Sequence, residues 1–174
     1  MTRVVAMAAT LASTALIGTA SAHVTLDQRT ATAGSTYKAV LRVPHGCDGK
    51  AMIRLRVRIP DGVINVKPMP KPGWNVATVK EKLVAPITLE HGRQLTETIR
   101  EVSWSGGNLP DDFYDEFVFR AELPKKPGTT LYFPVVQECD GAVSRWIEIP
   151  ESGKSSRDYA EPAPALRLVA PDQR

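Results

Sequence analysis

The residue with the most chemistry in its position is His23, which directly follows Ala20-Ser21-Ala22. That small-x-small tripeptide is what a signal peptidase needs. Arg3 supplies a positive start, and the uncharged stretch from Val4 to Ala20 is rich in Ala, Val, Leu, Ile and Met. Residues 1–22 therefore read as a secretory signal peptide cleaved after Ala22. The apolar run falls short of the roughly 20 residues that span a bilayer and is diluted by Thr, Ser and Gly, which disfavours a membrane anchor. Cleavage makes His23 the first residue of the exported chain. An N-terminal histidine offers two nitrogens, the free α-amine and ring Nδ1, which together chelate a metal in a six-membered ring, a histidine brace. Cu(II) suits such a site because it heads the affinity order and accepts planar nitrogen and oxygen ligands. Both nitrogens bind only when deprotonated, so affinity falls as pH drops below about 7. On this residue alone, the metal reading and an accidental histidine stand level.

Other reactive side chains are few. Cys47 and Cys139 each sit beside an Asp-Gly turn, in Gly46-Cys47-Asp48-Gly49 and Cys139-Asp140-Gly141. A lone pair of cysteines in an exported chain reads as a disulfide rather than as two thiolate ligands. Closing a loop of about ninety residues, it contributes on the order of 4–5 kcal/mol in the chain-entropy account. His45 and His91 each adjoin a glycine and read as solvated loop residues. Met52 and Met69 are too far apart in sequence to suggest a Cu(I) cluster. There is no Gly-rich phosphate loop, no Ser/His/Asp ordering and no Cys-His nucleophile pair.

The elements that must position these residues are short strands. Met52 to Pro60 alternates Ile53, Leu55, Val57 and Ile59 with Arg54, Arg56 and Arg58, giving an apolar face and a solvated arginine ladder. Further strands are predicted at Tyr37–Val43, Trp74–Val79, Leu95–Trp104, Phe113–Leu123, Thr130–Gln137 and Val143–Ile149, separated by Pro- and Gly-containing turns. No long amphipathic helix is suggested. About seven short strands in one exported domain predict an all-β fold, an antiparallel β-sandwich of immunoglobulin/fibronectin-like type, with a closed barrel as the alternative. The domain is expected over residues 23–150. From Glu151 the composition turns to Ser, Gly, Lys, Pro and Ala, and residues 151–174 read as a flexible tail. The whole chain carries a net charge of +3; the leader removes only Arg3, so the remainder stays near +2. That balance, without basic runs interleaved with aromatics, argues against nucleic acid as a partner.

Several motifs run in order through the chain: Ala22-His23-Val24-Thr25-Leu26, Val43-Pro44-His45-Gly46-Cys47-Asp48-Gly49, Lys67-Pro68-Met69-Pro70-Lys71-Pro72-Gly73-Trp74, Trp104-Ser105-Gly106-Gly107-Asn108-Leu109-Pro110, Asp115-Glu116-Phe117-Val118-Phe119, and Phe133-Pro134-Val135-Val136-Gln137-Glu138-Cys139 through Arg145-Trp146. In these the chain resembles the YcnI-type bacterial periplasmic copper-binding family from about His23 to Pro150. The resemblance implies a β-sandwich binding one Cu(II) per chain through a single N-terminal histidine, a glutamate and a nearby tryptophan. It also implies copper transporters or copper chaperones as partners. His23 carries over directly. The glutamate best matches Glu116, with Asp111 and Asp112 as competitors, and the tryptophan best matches Trp146, leaving Trp74 and Trp104 to the core. The chain departs from some relatives in having Cys47 and Cys139 and in lacking a C-terminal membrane helix, which implies a free periplasmic protein with no membrane span after cleavage. The expected function is that of an exported Cu(II)-binding protein, a chaperone, store or sensor and not an enzyme. One rival is a copper-dependent oxidative enzyme of the polysaccharide monooxygenase kind, which needs a second histidine that only His45 or His91 could supply. The other is an interaction module in which His23 has no role.

Intact mass and N-terminal sequencing of the exported protein should give a chain that starts at His23. Any other first residue removes the α-amine from the brace.

Overall fold

A computed structural model describes residues 23–89 and 92–171. The expected signal peptide, residues 1–22, and His91 lie outside the described residues. Twelve strands follow in chain order: β1 Thr25–Leu26, β2 Thr30–Thr32, β3 Thr36–Val43, β4 Met52–Arg58, β5 Ile64–Pro68, β6 Asn75–Thr88, β7 Gln94–Leu109, β8 Asp115–Glu122, β9 Thr130–Tyr132, β10 Val135–Cys139, β11 Ala142–Trp146 and β12 Ala165–Val169. They form a four-stranded sheet β1-β3-β8-β5, a five-stranded sheet β11-β10-β4-β7-β6, and a small sheet β2-β12-β9. All pairings are antiparallel except β2 with β12. The architecture is the expected antiparallel, immunoglobulin-like sandwich.

Period-two alternation builds the core between the two larger sheets. β3 turns Tyr37, Ala39, Leu41 and Val43 inward, and its partner β8 turns Phe117, Phe119 and Ala121 inward. From the other sheet come Leu55, Val57, Val102, Trp104 and Val135, all fully buried. The arginine ladder faces outward as expected. Arg54 and Arg56 reach Glu138 on β10 at 3.3 and 2.8 Å, and Arg56 reaches Glu101 on β7 at 3.8 Å.

Three expectations are corrected. Ile53 was expected on the apolar face of β4, yet it is exposed while Met52 is fully buried; a register shift against β7 between Met52 and Arg54 reverses the alternation there. The expected strand Thr130–Gln137 is two strands in different sheets. Pro134, which has no N–H to donate, stands between them. The expected flexible tail from Glu151 is overturned for its second half. Pro162, Ala163 and Pro164 are buried, and β12 places fully buried Leu166 and Leu168 between β2 and β9. The domain therefore extends to β12. Its inward residues are two leucines in a five-residue strand, too short a pattern to stand out among Pro and Ala.

The turn before β4 carries the disulfide. Cys47 and Lys50 exchange both backbone hydrogen bonds, at 2.9 and 2.8 Å. Gly46 is required there, because a Cβ would lie 1.9 Å from the Lys50 carbonyl oxygen. Cys47 is bonded to Cys139, with Cα atoms 6.0 Å apart and a sequence separation of 92. Among the described residues, no helix is long and apolar enough to cross a membrane.

Because β12 is core, Leu168→Ala should destabilise the protein by about 2–5 kcal/mol in a denaturant titration. A chain ended after Pro164 should not fold. Native stability in that truncated chain would contradict the assignment.

Candidate metal centre

His23 stands two residues ahead of a tightly held strand. Val24 and Leu26 are 1% and 2% exposed, and Thr25 and Leu26 pair with Arg42 and Leu41 of β3. The Asp27 N–H continues the pairing to the Val40 carbonyl at 3.0 Å. Just beyond, the Tyr37 hydroxyl donates to the Gln28 carbonyl at 2.6 Å; burial first, and then the Asp27 charge, push its pKa up to about 12.

The His23 ring is half-buried and meets the Trp146 indole edge-on, with centroids 5.1 Å apart and planes at 63°. Its Nε2 lies 3.1 Å from the Ala160 carbonyl oxygen. A carbonyl only accepts, so in this contact Nε2 carries the hydrogen, and in the tautomer that makes it Nδ1 is the nitrogen without one. That is the nitrogen a brace requires. Fixing one ring nitrogen by hydrogen bonding so that the other presents a lone pair is how proteins orient metal-binding histidines.

Ala160 is positioned by the segment once expected to be a tail. Glu148, just past β11, accepts from Ala163 N–H at 2.8 Å and donates to the Glu161 carbonyl at 3.1 Å. Its carboxylate accepts from Glu161 N–H at 2.6 Å, and the Glu161 carboxylate accepts from Arg145 N–H at 3.2 Å. Residues 160–163 are thus laid alongside the strand that carries Trp146.

Trp146 is 8% exposed and donates its indole N–H to Gln137 Oε1 at 2.5 Å. Gln137 is 1% exposed, and its amide donates to the His45 carbonyl at 3.0 Å. Two residues past each end of that link lie Cys139 and Cys47, so the disulfide fastens the His45 loop to β10 where Gln137 bridges them.

Glu116 is elsewhere. It sits on the outer face of β8 opposite Arg42, whose guanidinium lies 3.7 Å from it and also pairs with Asp27. Tyr114 donates its hydroxyl to the Glu116 carboxylate, the chief cause of that phenol's raised pKa. β3 separates β1 from β8, so their backbones run about 10 Å apart at ordinary strand spacing. The structure therefore brings His23 and Trp146 together and leaves Glu116 two strands away. Asp111 lies 3.5 Å from His45 Nδ1, which makes a closer contact of 2.7 Å with the Gly46 carbonyl. Asp112 is exposed in the preceding turn. Among the described residues, no three His, Cys, Asp or Glu side chains form a group that could hold a metal ion. Met52 is buried and Met69 exposed. Trp104 is fully buried, and Trp74 packs on the core against Phe117.

Two parts of this centre escape a sequence reading. The Ala160 contact is made by main chain and leaves no side-chain signal. Gln137 left one: it is a polar residue at an inward position between Val135 and Cys139, and with Thr98 it makes up the buried polar residues described.

The family described as "Domain of unknown function (DUF1775)" matches residues 23–168. No curated protein matches the chain. Among solved structures, the crystal structure of an uncharacterized protein from Nocardia farcinica, reported to reveal an immunoglobulin-like fold, is similar at 24% identity, covering 84% of this chain and 98% of that chain with a TM-score of 0.62. At that identity the likeness is one of fold.

Gln137→Leu should leave the Trp146 N–H and the His45 carbonyl without their partners. A loss of about 2 kcal/mol in stability and faster exchange of the Trp146 indole proton are expected. Unchanged stability and exchange would contradict the bridging role.

Proposed function

The chain belongs to the DUF1775 family, and we propose that it is an exported Cu(II)-binding protein, a periplasmic chaperone, store or sensor of YcnI type that takes the metal as cargo at His23. The observation that carries the reading is the His23 Nε2 contact with the Ala160 carbonyl, which selects the tautomer whose hydrogen is on Nε2 and so assigns metal binding to Nδ1. With the α-amine freed by cleavage after Ala22, the same residue would supply both nitrogens of the chelate. Cu(II) is the metal that favours them most among the common divalent ions.

Trp146 bounds the site on one side. Packed edge-on against the imidazole and anchored through Gln137, it limits ring rotation and keeps an apolar wall beside the metal. Glu116 would first have to leave Arg42 and Tyr114 to serve as an oxygen ligand. The Cys47–Cys139 disulfide is compatible with an oxidising compartment such as the periplasm. Copper transporters or copper chaperones are the partners this reading calls for.

The test compares the chain beginning at His23 with one carrying a single glycine before it. The extra residue converts the amine into an amide that coordinates only by losing its proton. Competition titration should show Cu(II) affinity at least a hundredfold lower in the extended chain, about 2.7 kcal/mol. Equal affinity would remove the brace and the function built on it.

A further inference from the structure

We infer that the cleft beside His23 is an anion site, and that it holds Cu(II) together with a small carboxylate-bearing chelator. This rests on the copper reading above and extends it to the form in which the metal is bound.

The cleft has a volume of about 500 Å³ and is lined by His23, Thr25, Arg29, Ser156 and Arg157. A second hollow of about 130 Å³ shares His23, Thr25, Arg29 and Ser156 and continues along the buried Pro162–Pro164 segment. The described residues that line the larger cleft carry two guanidiniums, two hydroxyls and an imidazole, and no carboxylate is among them. The guanidinium fork matches the geometry of a carboxylate and stays charged at any physiological pH. The backbone under each arginine is fixed. Arg29 accepts at its carbonyl from Arg167 N–H of β12 at 2.9 Å. Arg157 sits in the short 3-10 turn Ser156–Asp158, which Ser155 caps while Asp158 accepts from the Ser155 N–H at 2.8 Å. A brace fills two positions of a planar Cu(II) site and leaves others for oxygen. The two exposed guanidiniums on the adjoining wall would offset an anionic oxygen ligand, so an incoming chelate could keep part of its carboxylate shell while His23 takes two positions.

The experiment titrates citrate into the chain starting at His23, with and without one equivalent of Cu(II), in a non-coordinating buffer. Binding is read by calorimetry, and the copper environment by visible and EPR spectra. The expected result is one citrate per chain, a shifted copper spectrum and copper retained on the protein. In Arg29→Ala/Arg157→Ala, citrate affinity should fall at least tenfold, while Cu(II) affinity measured without citrate stays within about twofold. Citrate that strips the copper, or binds the double variant as tightly, overturns the inference. A double variant that no longer binds copper alone also overturns it, since the arginines would then serve the metal. Inorganic phosphate binding as tightly as citrate overturns the carboxylate assignment. Should the protein fail to bind copper at all, the copper reading falls by itself, and arginine-dependent citrate binding to the metal-free chain still decides the anion site.

Discussion

The burial of Val24 and Leu26 is the constraint on which the rest depends. The first residues of a domain are ordinarily loose, because fixing them costs backbone entropy with little contact in return. Here two apolar side chains within four residues of His23 enter the core, and β1 pairs with β3 immediately behind it. A terminal amine works as a ligand only if its residue is held in place. With His23 ordered through β1 and the core, the proposed metal site would have little more backbone to fix.

The same logic explains why the C-terminal segment returns to the N-terminus. β12 lies parallel to β2, a few residues after His23, and residues 160–163 lie along Glu148. The two ends of the domain thus form one wall of the candidate site. The Ala160 carbonyl orients the imidazole from that wall, and Trp146 supports it from the five-stranded sheet through Gln137. The disulfide acts further back, holding the His45 loop against β10, so its contribution is to the rigidity of the support and not to the donor set.

Strands that alternate cleanly were legible in the sequence. β3 and β8 have a single inward period, and the expected ranges Tyr37–Val43 and Phe113–Leu123 cover nearly all of both. Trp74–Val79 and Leu95–Trp104 captured only parts of β6 and β7, missing buried Leu109 at the end of β7. The hairpin runs on to Thr88 and Gln94, where Val84 and Ile87 are exposed and no burial pattern marks a strand. β1 and β2 are too short to show a period. At the candidate site, residue type and motif singled out His23 and Trp146, whose rings the structure sets in contact, and the pairing of Cys47 with Cys139 was legible from their being the chain's two cysteines. The position of Glu116 was not. Facing away from Phe117 and Phe119 leaves open whether a carboxylate meets a metal or an arginine, and only the order β1-β3-β8 sets Arg42 beside it.

The central claim is that one imidazole, bound through Nδ1 with Nε2 hydrogen-bonded to the Ala160 carbonyl, holds Cu(II) beside Trp146. Pulsed EPR of the copper-loaded chain beginning at His23 reads this directly, because a bound imidazole reveals itself through its remote nitrogen. The account predicts modulation from a single remote imidazole nitrogen, absent in His23→Ala and unchanged in His45→Ala. Two imidazoles in the spectrum, or a single one that disappears with His45 and persists without His23, would contradict it.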